Sequence, residues 1–169
     1  MSDVNLHRQA HGFVLRSPYA HAKIKSMDKK VAEAAPGVIT ILTGPDILAD
    51  GLGTTHVTQP HKRADGSPLY SVPHPGLVLD RVRHVGDYIA FIVAETVNQA
   101  KDAAELIEID FEPLDSITNT ALAVDVDAPL VWDDCENNIS HIIQGGDKDA
   151  TDAAFENADK IIKHRFIIN

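Results

Sequence analysis

Three histidines, His56, His61 and His74, gather with Asp65 in one stretch rich in Gly, Pro, Thr and Asp. Imidazole and carboxylate are metal ligands, so this group is the first candidate for chemistry. Its spacing argues against a cage: there is no helical i, i+4 pair and no H-E-x-x-H frame, and histidines in an irregular loop ordinarily face solvent. A phosphate cradle needs a glycine-rich turn between a strand and a helix. Gly51-Leu52-Gly53 completes no G-x-G-x-x-G, and Gly145-Gly146-Asp147 sets a negative charge beside any bound phosphate. Both read as plain turns.

The remaining candidates are single side chains. Glu95 stands between an apolar run and a helix start, where a carboxylate either acts as a base or complements the helix dipole, and the dipole role fits better. Cys135 is flanked by Asp133, Asp134 and Glu136, which raise a thiol's pKa and make it a poor nucleophile. Ser17 lacks the G-x-S-x-G elbow of an activated serine. No residue is therefore assigned a catalytic, cofactor-binding or metal-binding role.

The elements that would have to position such groups can be read from pattern and punctuation. Gly12–Leu15 and Ala22–Met27 predict strands, and Asp28 is expected to cap a short helix over Lys29–Ala35 that Pro36-Gly37 ends. Val38–Leu42 is a β-rich run, after which Thr43-Gly44-Pro45-Asp46 can start a helical turn. Residues 49–75 lose all periodicity, and a loop that long inside a domain is functional, mobile or buried against a partner. Order is expected again at Leu77–Leu79 and Val82–Val85, with a corner at Asp80-Arg81.

Tyr88–Ala94 is almost continuously apolar, as in a central strand buried on both faces. Thr96 and Gln99 form a T-x-x-Q capping box, so a helix should run to about Leu106 with Val97, Ala100, Ala104 and Ala103 inward. Ile107, Ile109 and Phe111 then alternate with acids in a strand ended by Pro113. Further on, a short helix is expected near Thr120–Ala123, then an apolar Leu130-Val131-Trp132 segment. A last helix is expected over Asp152–Ala158, capped by Asp149 or Thr151, with Ala154, Phe155 and Ala158 on one face. Lys160–Asn169 alternates like a strand.

Composition limits the partners. The 169 residues are 44% hydrophobic and 24% charged, the balance of an ordinary folded domain. Acids outnumber bases 25 to 15 for a formal charge of −10, and the bases are scattered, which excludes a concentrated nucleic-acid surface. One cysteine excludes an internal disulfide and an all-cysteine metal site from this chain alone. The N-terminal stretch has no basic n-region or apolar core, and no run reaches the ~20 residues of a membrane span, so a cytoplasmic location is expected.

An ordered set of short motifs carries a family resemblance. It comprises Leu15-Arg16-Ser17-Pro18-Tyr19-Ala20-His21-Ala22, Ala35-Pro36-Gly37-Val38 followed by Leu42-Thr43 and Asp46, and Val82-Arg83-His84-Val85-Gly86-Asp87. Val93-Ala94-Glu95-Thr96 with Gln99-Ala100 and Asp102-Ala103-Ala104 comes next, then Glu108-Ile109-Asp110-Phe111-Glu112-Pro113-Leu114, and Gly146-Asp147 before Ala154-Phe155. Over nearly its whole length the chain resembles the N-terminal domain of the molybdenum hydroxylases, the xanthine dehydrogenase and aldehyde oxidase family. Within that family it is most similar to the large subunit of aerobic carbon monoxide dehydrogenase-type enzymes. Tyr88 stands where the family often has proline, and the lead-in before the first strand is shortened to Met1–Ala10.

The resemblance implies an α+β fold, the α/β-hammerhead, with β-rich mixed sheets and two to four short helices. It implies one domain over residues 1–169, part of a longer large subunit, with residues 160–169 as the strand leading toward molybdenum-binding domains. No cofactor is expected on this chain. The parent subunit would carry a molybdenum-pterin centre, and [2Fe–2S] clusters and FAD would sit on partner subunits or domains. The expected partners are the remaining domains of its own large subunit, an iron–sulfur small subunit and an FAD medium subunit. The alternatives are a free-standing binding or assembly module of the same fold and a small metal-dependent enzyme using the loop histidines.

Overall fold

The computed structural model describes residues 6–55, 62–63, 65–142 and 145–166. Its centre is β7 (Tyr88–Ala94), which pairs antiparallel with β1 (His11–Arg16) on one side and with β3 (Val38–Thr43) on the other. The apolar run that marks β7 is explained by this position, because both of its faces are covered. Ala90, Ile92 and Ala94 point to one side, where Ala100, Ala103 and Ala104 of α3 (Val97–Glu105), Ala32 of α1 (Lys30–Glu33) and Ile41 of β3 close over them. Ile89 packs on the other side with Ala22 and Val82. Both edges of this sheet are irregular, with register shifts between Leu15 and Arg16 in β1 and between Val38 and Thr40 in β3.

A second sheet has β2 (Ala22–Asp28) between β6 (Arg81–Val82) and β8 (Glu108–Pro113), again antiparallel. Met27 and Ile109 pack against both core clusters and so join the two sheets. The β7–α3–β8 unit follows its sequence pattern closely: the Thr96 hydroxyl accepts the Gln99 N–H at 3.2 Å, and Ala100, Ala103 and Ala104 are buried. Val97, expected inward, is 43% exposed, because it lies at the first position of α3, beyond the sheet's cover. The turn into α2 (Gly44–Ala49) is fixed by Asp46, whose carboxylate accepts the Thr43 N–H at 2.8 Å and the Thr43 hydroxyl at 2.7 Å. Gly44 is required there, since a Cβ would stand 2.1 Å from the Val78 carbonyl oxygen.

Several expectations are corrected. Asp28 is not the cap of the first helix: it is the last residue of β2, paired with Glu108, and Lys29 takes the cap position while the Asp28 carboxylate still accepts the Lys30 N–H at 3.0 Å. The pattern of Leu77–Leu79 and Val82–Val85 yields only β6, because Arg83 and His84 turn away to bond Asp87. Within residues 49–75, β4 (Thr54–Thr55) and β5 (His74–Pro75) form a two-residue ladder, and Lys62 bridges Pro68. Thr120–Ala123 forms turns on Asn119 instead of a helix; the Asn119 side-chain oxygen accepts the Ala121 N–H at 3.0 Å.

The last helix, α4 (Lys148–Glu156), begins four residues before its expected start, because Asp147 and not Asp149 or Thr151 accepts the capping bond, from Ala150 N–H at 2.9 Å. Its Ala154, Phe155 and Ala158 face is uncovered, and every described residue from 145 to 166 is exposed. Residues 160–166 form no strand; a strand exists only by pairing, and no described strand adjoins them. Residues 167–169 lie outside the described residues, and no described helix is long and apolar enough to cross a membrane.

Candidate functional site

Among the described residues, the candidates singled out from sequence are not assembled into a reacting centre. His56 and His61 lie outside the described residues. His74, on β5, gives its backbone N–H to the Thr54 hydroxyl, while Asp65 holds a turn by accepting the Ser67 N–H at 2.9 Å; the nearby Ser67 hydroxyl and then that N–H keep its carboxyl below the usual range. Among the described residues no three His, Cys, Asp or Glu side chains converge to hold a metal ion. A [2Fe–2S] cluster takes four thiolate ligands and the chain has one cysteine, so these residues do not fit that group either.

The other single candidates have structural tasks. Gly51 and Gly53 adopt positive φ in a turn with open space around them. Asp147 fills the start of α4 with its own carboxylate, so Gly145-Gly146-Asp147 is a cap and not an anion cradle. Glu95 is exposed just before the Thr96 cap, and its backbone N–H bonds the Gly37 carbonyl at 2.8 Å. Ser17 is buried; its hydroxyl accepts the Tyr19 N–H and donates to the Tyr19 carbonyl, both at 3.0 Å. Cys135 is 4% exposed, and burial, then the neighbouring Asp134, pushes its thiol above the ordinary value, the direction read from the sequence.

The structure instead gathers arginines that sequence reasoning passed over. A groove of about 730 Å³ opens beside the turn from β6 to β7, with Arg16, Arg81, Arg83 and His84 on its walls. Asp87 builds that turn: its carboxylate accepts the backbone N–H groups of Arg83 and His84 and pairs with His84 Nδ1 at 2.8 Å. The Arg83 guanidinium lies 3.6 Å from the centre of the Trp132 ring and donates from Nε to the Val131 carbonyl at 3.1 Å. Arg16 sits 4.5 Å over the Tyr88 ring. Arg81 donates through Nη1 to both oxygens of Asp133, at 2.9 and 3.0 Å, which holds the Asp133 carboxyl below its usual range. Burial, then the like charge of Arg81, pulls Arg83 down from its ordinary value, but a guanidinium stays protonated at neutral pH.

The segment behind this groove is fastened by side chains. Asn138, at φ +55°, accepts the Val131 N–H at 2.8 Å and donates to the carbonyls of Ala123 at 2.8 Å and Pro129 at 3.1 Å. Tyr70 donates its hydroxyl to Asp134 at 2.6 Å; burial and then that carboxylate push the phenol up to about 12. Guanidinium groups laid on aromatic rings and carbonyls can hold carboxylates or other anions. They offer no general acid or base at neutral pH, so the arrangement is one for binding.

Comparison with known proteins places the fold. Residues 1–115 match the family described as aldehyde oxidase and xanthine dehydrogenase, a/b hammerhead domain. The carbon monoxide dehydrogenase large chain of Afipia carboxidovorans is 33% identical over 98% of this chain, which spans 21% of that protein's length. The nicotine 6-hydroxylase large subunit of Paenarthrobacter nicotinovorans is 30% identical over 96% of the chain, again matching 19% of the relative. Among solved structures, a Cu,Mo-CO dehydrogenase in its carbon monoxide-reduced state superposes with a TM-score of 0.74 at 32% identity, over 94% of this chain and 20% of that one. The aldehyde oxidoreductase of Desulfovibrio gigas gives 0.67 at 27% identity, over 89% and 16%. The chain thus spans about a fifth of the length of these relatives, and with its two antiparallel three-stranded sheets and the α3 cover it belongs to the aldehyde oxidase and xanthine dehydrogenase family, as an a/b hammerhead domain.

Proposed function

We propose that this chain serves as the N-terminal structural domain of the large subunit of a molybdenum-pterin oxidoreductase, a hydroxylase or a carbon monoxide dehydrogenase-like enzyme. It spans residues 1–169 as one domain and is inactive alone. Its work is to present packing surface to the remaining domains of the same subunit, which carry the molybdenum-pterin centre, and to an iron–sulfur small subunit. FAD belongs to a further, medium subunit, and the assembly works in the cytoplasm.

The carrying observation is the uncovered apolar surface of residues 145–166. Phe155 is 57% exposed, and Ile162 and Phe166 are each 80% exposed, on a helix and an extension that bury nothing. Such surface is ordinarily covered by a neighbour. No step of the reaction is assigned to these residues. The test has two parts. The reading frame past the Asn169 codon should continue for several hundred residues through a pterin-binding region, and the purified 169-residue chain should contain no molybdenum and oxidise neither carbon monoxide nor purines. A stop codon directly after Asn169, or stoichiometric molybdenum on the isolated chain, would overturn the proposal.

A further inference from the structure

Among the described residues, the groove beside the Arg83–Trp132 stack brings three arginines of this acidic chain together. Against a formal charge of −10, its lining holds Arg16, Arg81 and Arg83, with His74 and His84, and only Asp80 and Asp87 as acids. Asp87 is committed to the turn that it builds. Among the described residues no carboxylate lies within 4 Å of the Arg16 or Arg83 guanidinium; Arg16 rests on Tyr88, and Arg83 on Trp132 and the Val131 carbonyl. Asp80, Asp133 and Asp87 lie close enough to act on Arg83 electrostatically, but none of them forms an ion pair with it, so its fork stays open. Preorganised guanidinium forks lose little freedom on meeting a carboxylate, which is why such positions favour binding.

The apolar rim adds a second requirement. Val85 is 64% exposed, Tyr88 45% and Leu79 44%, and all three line the same groove. A free inorganic anion would leave that surface wet, whereas a chain segment that alternates carboxylates with aliphatic side chains would cover it. The structure already displays the charged half of such a contact: Asp133, from a segment 52 residues away in sequence, lays both carboxylate oxygens on Arg81 while its own side chain stays 75% exposed.

We propose that this groove is a docking site for an acidic, extended polypeptide segment of a partner protein. Its carboxylates engage Arg16 and Arg83, and its aliphatic side chains lie on Val85 and Leu79. The groove would hold such a segment whatever reaction the parent enzyme performs. Opposite charge across the contact sets orientation and association rate, and the rim excludes water from it.

The chain's single tryptophan, Trp132, lies under Arg83, so its emission reports occupancy directly. The 169-residue chain would be titrated with a blocked synthetic peptide, Asp-Leu-Glu-Val-Asp, and with its amide counterpart, Asn-Leu-Gln-Val-Asn. The acidic peptide should give a saturable change. Affinity should fall about tenfold for the amide peptide, and about tenfold for Arg16→Gln with unchanged circular dichroism. Raising salt from about 0.05 M to about 0.5 M should weaken binding, since the contact lies near the surface. Val85→Glu changes a residue 64% exposed and leaves the core untouched, yet should abolish the response. Four outcomes would overturn the proposal: no saturable change with the acidic peptide, equal affinity for the amide peptide, wild-type affinity in both variants, or tighter binding of heparin, which would mark a general polyanion surface.

Discussion

Helices α3 and α4 are close counterparts in every local respect. Each has nine residues, each is amphipathic, and each is capped by a side-chain oxygen that accepts the N–H three residues on: Thr96 from Gln99, and Asp147 from Ala150. They differ in what lies beneath. Ala100, Ala103 and Ala104 of α3 are buried against β7 and β1, whereas α4 buries no residue at all. A helix this short is marginal in water on its own, so caps and pattern decide where it forms, while the surface beneath it supplies most of its stability. α3 has that surface within the chain, and α4 does not.

The comparison can be broken most forcefully at β7. Ile92→Ala, at a residue with no exposure beneath α3, should lower unfolding stability by about 2–5 kcal/mol in urea denaturation, with a matching loss of α3 protection in hydrogen exchange. A loss of α4 protection of the same size would show that the two helices share one cooperative unit. Next in size are the seventh positions of the two helices. Ala103→Leu forces extra volume into the core and should cost about 1–3 kcal/mol, while Ala154→Leu should stay within about 0.5 kcal/mol. Comparable costs would mean that α4 has a covered face in solution.

The caps give a smaller and sharper contrast. Thr96→Ala should lower global stability by about 1 kcal/mol, whereas Asp147→Ala should reduce helix content by circular dichroism without moving the urea midpoint. The segment around residues 119–140 is an intermediate case, tied to the body by hydrogen bonds with little apolar burial. Tyr70, which holds that segment through Asp134, is raised from 10.0 to about 12. A phenol whose folded value lies above its unfolded one contributes stability that is complete below the unfolded value and is lost as pH rises from there through the folded one. Ultraviolet titration should therefore show Tyr70 ionising late, and Asp134→Asn should bring it down by removing the carboxylate next to the phenol. An unchanged titration in Asp134→Asn would leave burial alone as the cause.

Much of the body was legible because its signals are local. The continuous apolar run of β7, the T-x-x-Q box of α3 and the alternation of β8 each specify an element within a dozen residues, and their order carried the family resemblance. The expectations that failed depended on neighbours. Asp28 was read as a cap, but pairing with Glu108 holds it in β2. The alternation of Lys160–Asn169 was read as a strand, and pairing, which no alternation can provide, decides that state among the residues described. The groove was unreadable for the same reason: Arg16, Arg83 and Trp132 are brought together by the corner between β6 and β7 and by the Asn138 clamp, and no spacing in the sequence announces it. The one available hint was a lone tryptophan in an otherwise aromatic-poor chain.

The register shifts in β1 and β3 bear on how the chain behaves at high concentration. These strands are the two margins of the first sheet, so each carries one row of backbone donors and acceptors that β7 does not satisfy. A straight margin would template a strand from another molecule and begin a fibril. In the β3 margin the extra residue is Ile39, which twists that row out of line so that an incoming strand loses register after a few bonds; beside β1 the extra residue belongs to β7, at Ile89. Among the described residues the central sheet has three strands, and its bulged β3 margin is a poor template for a fourth strand from another copy.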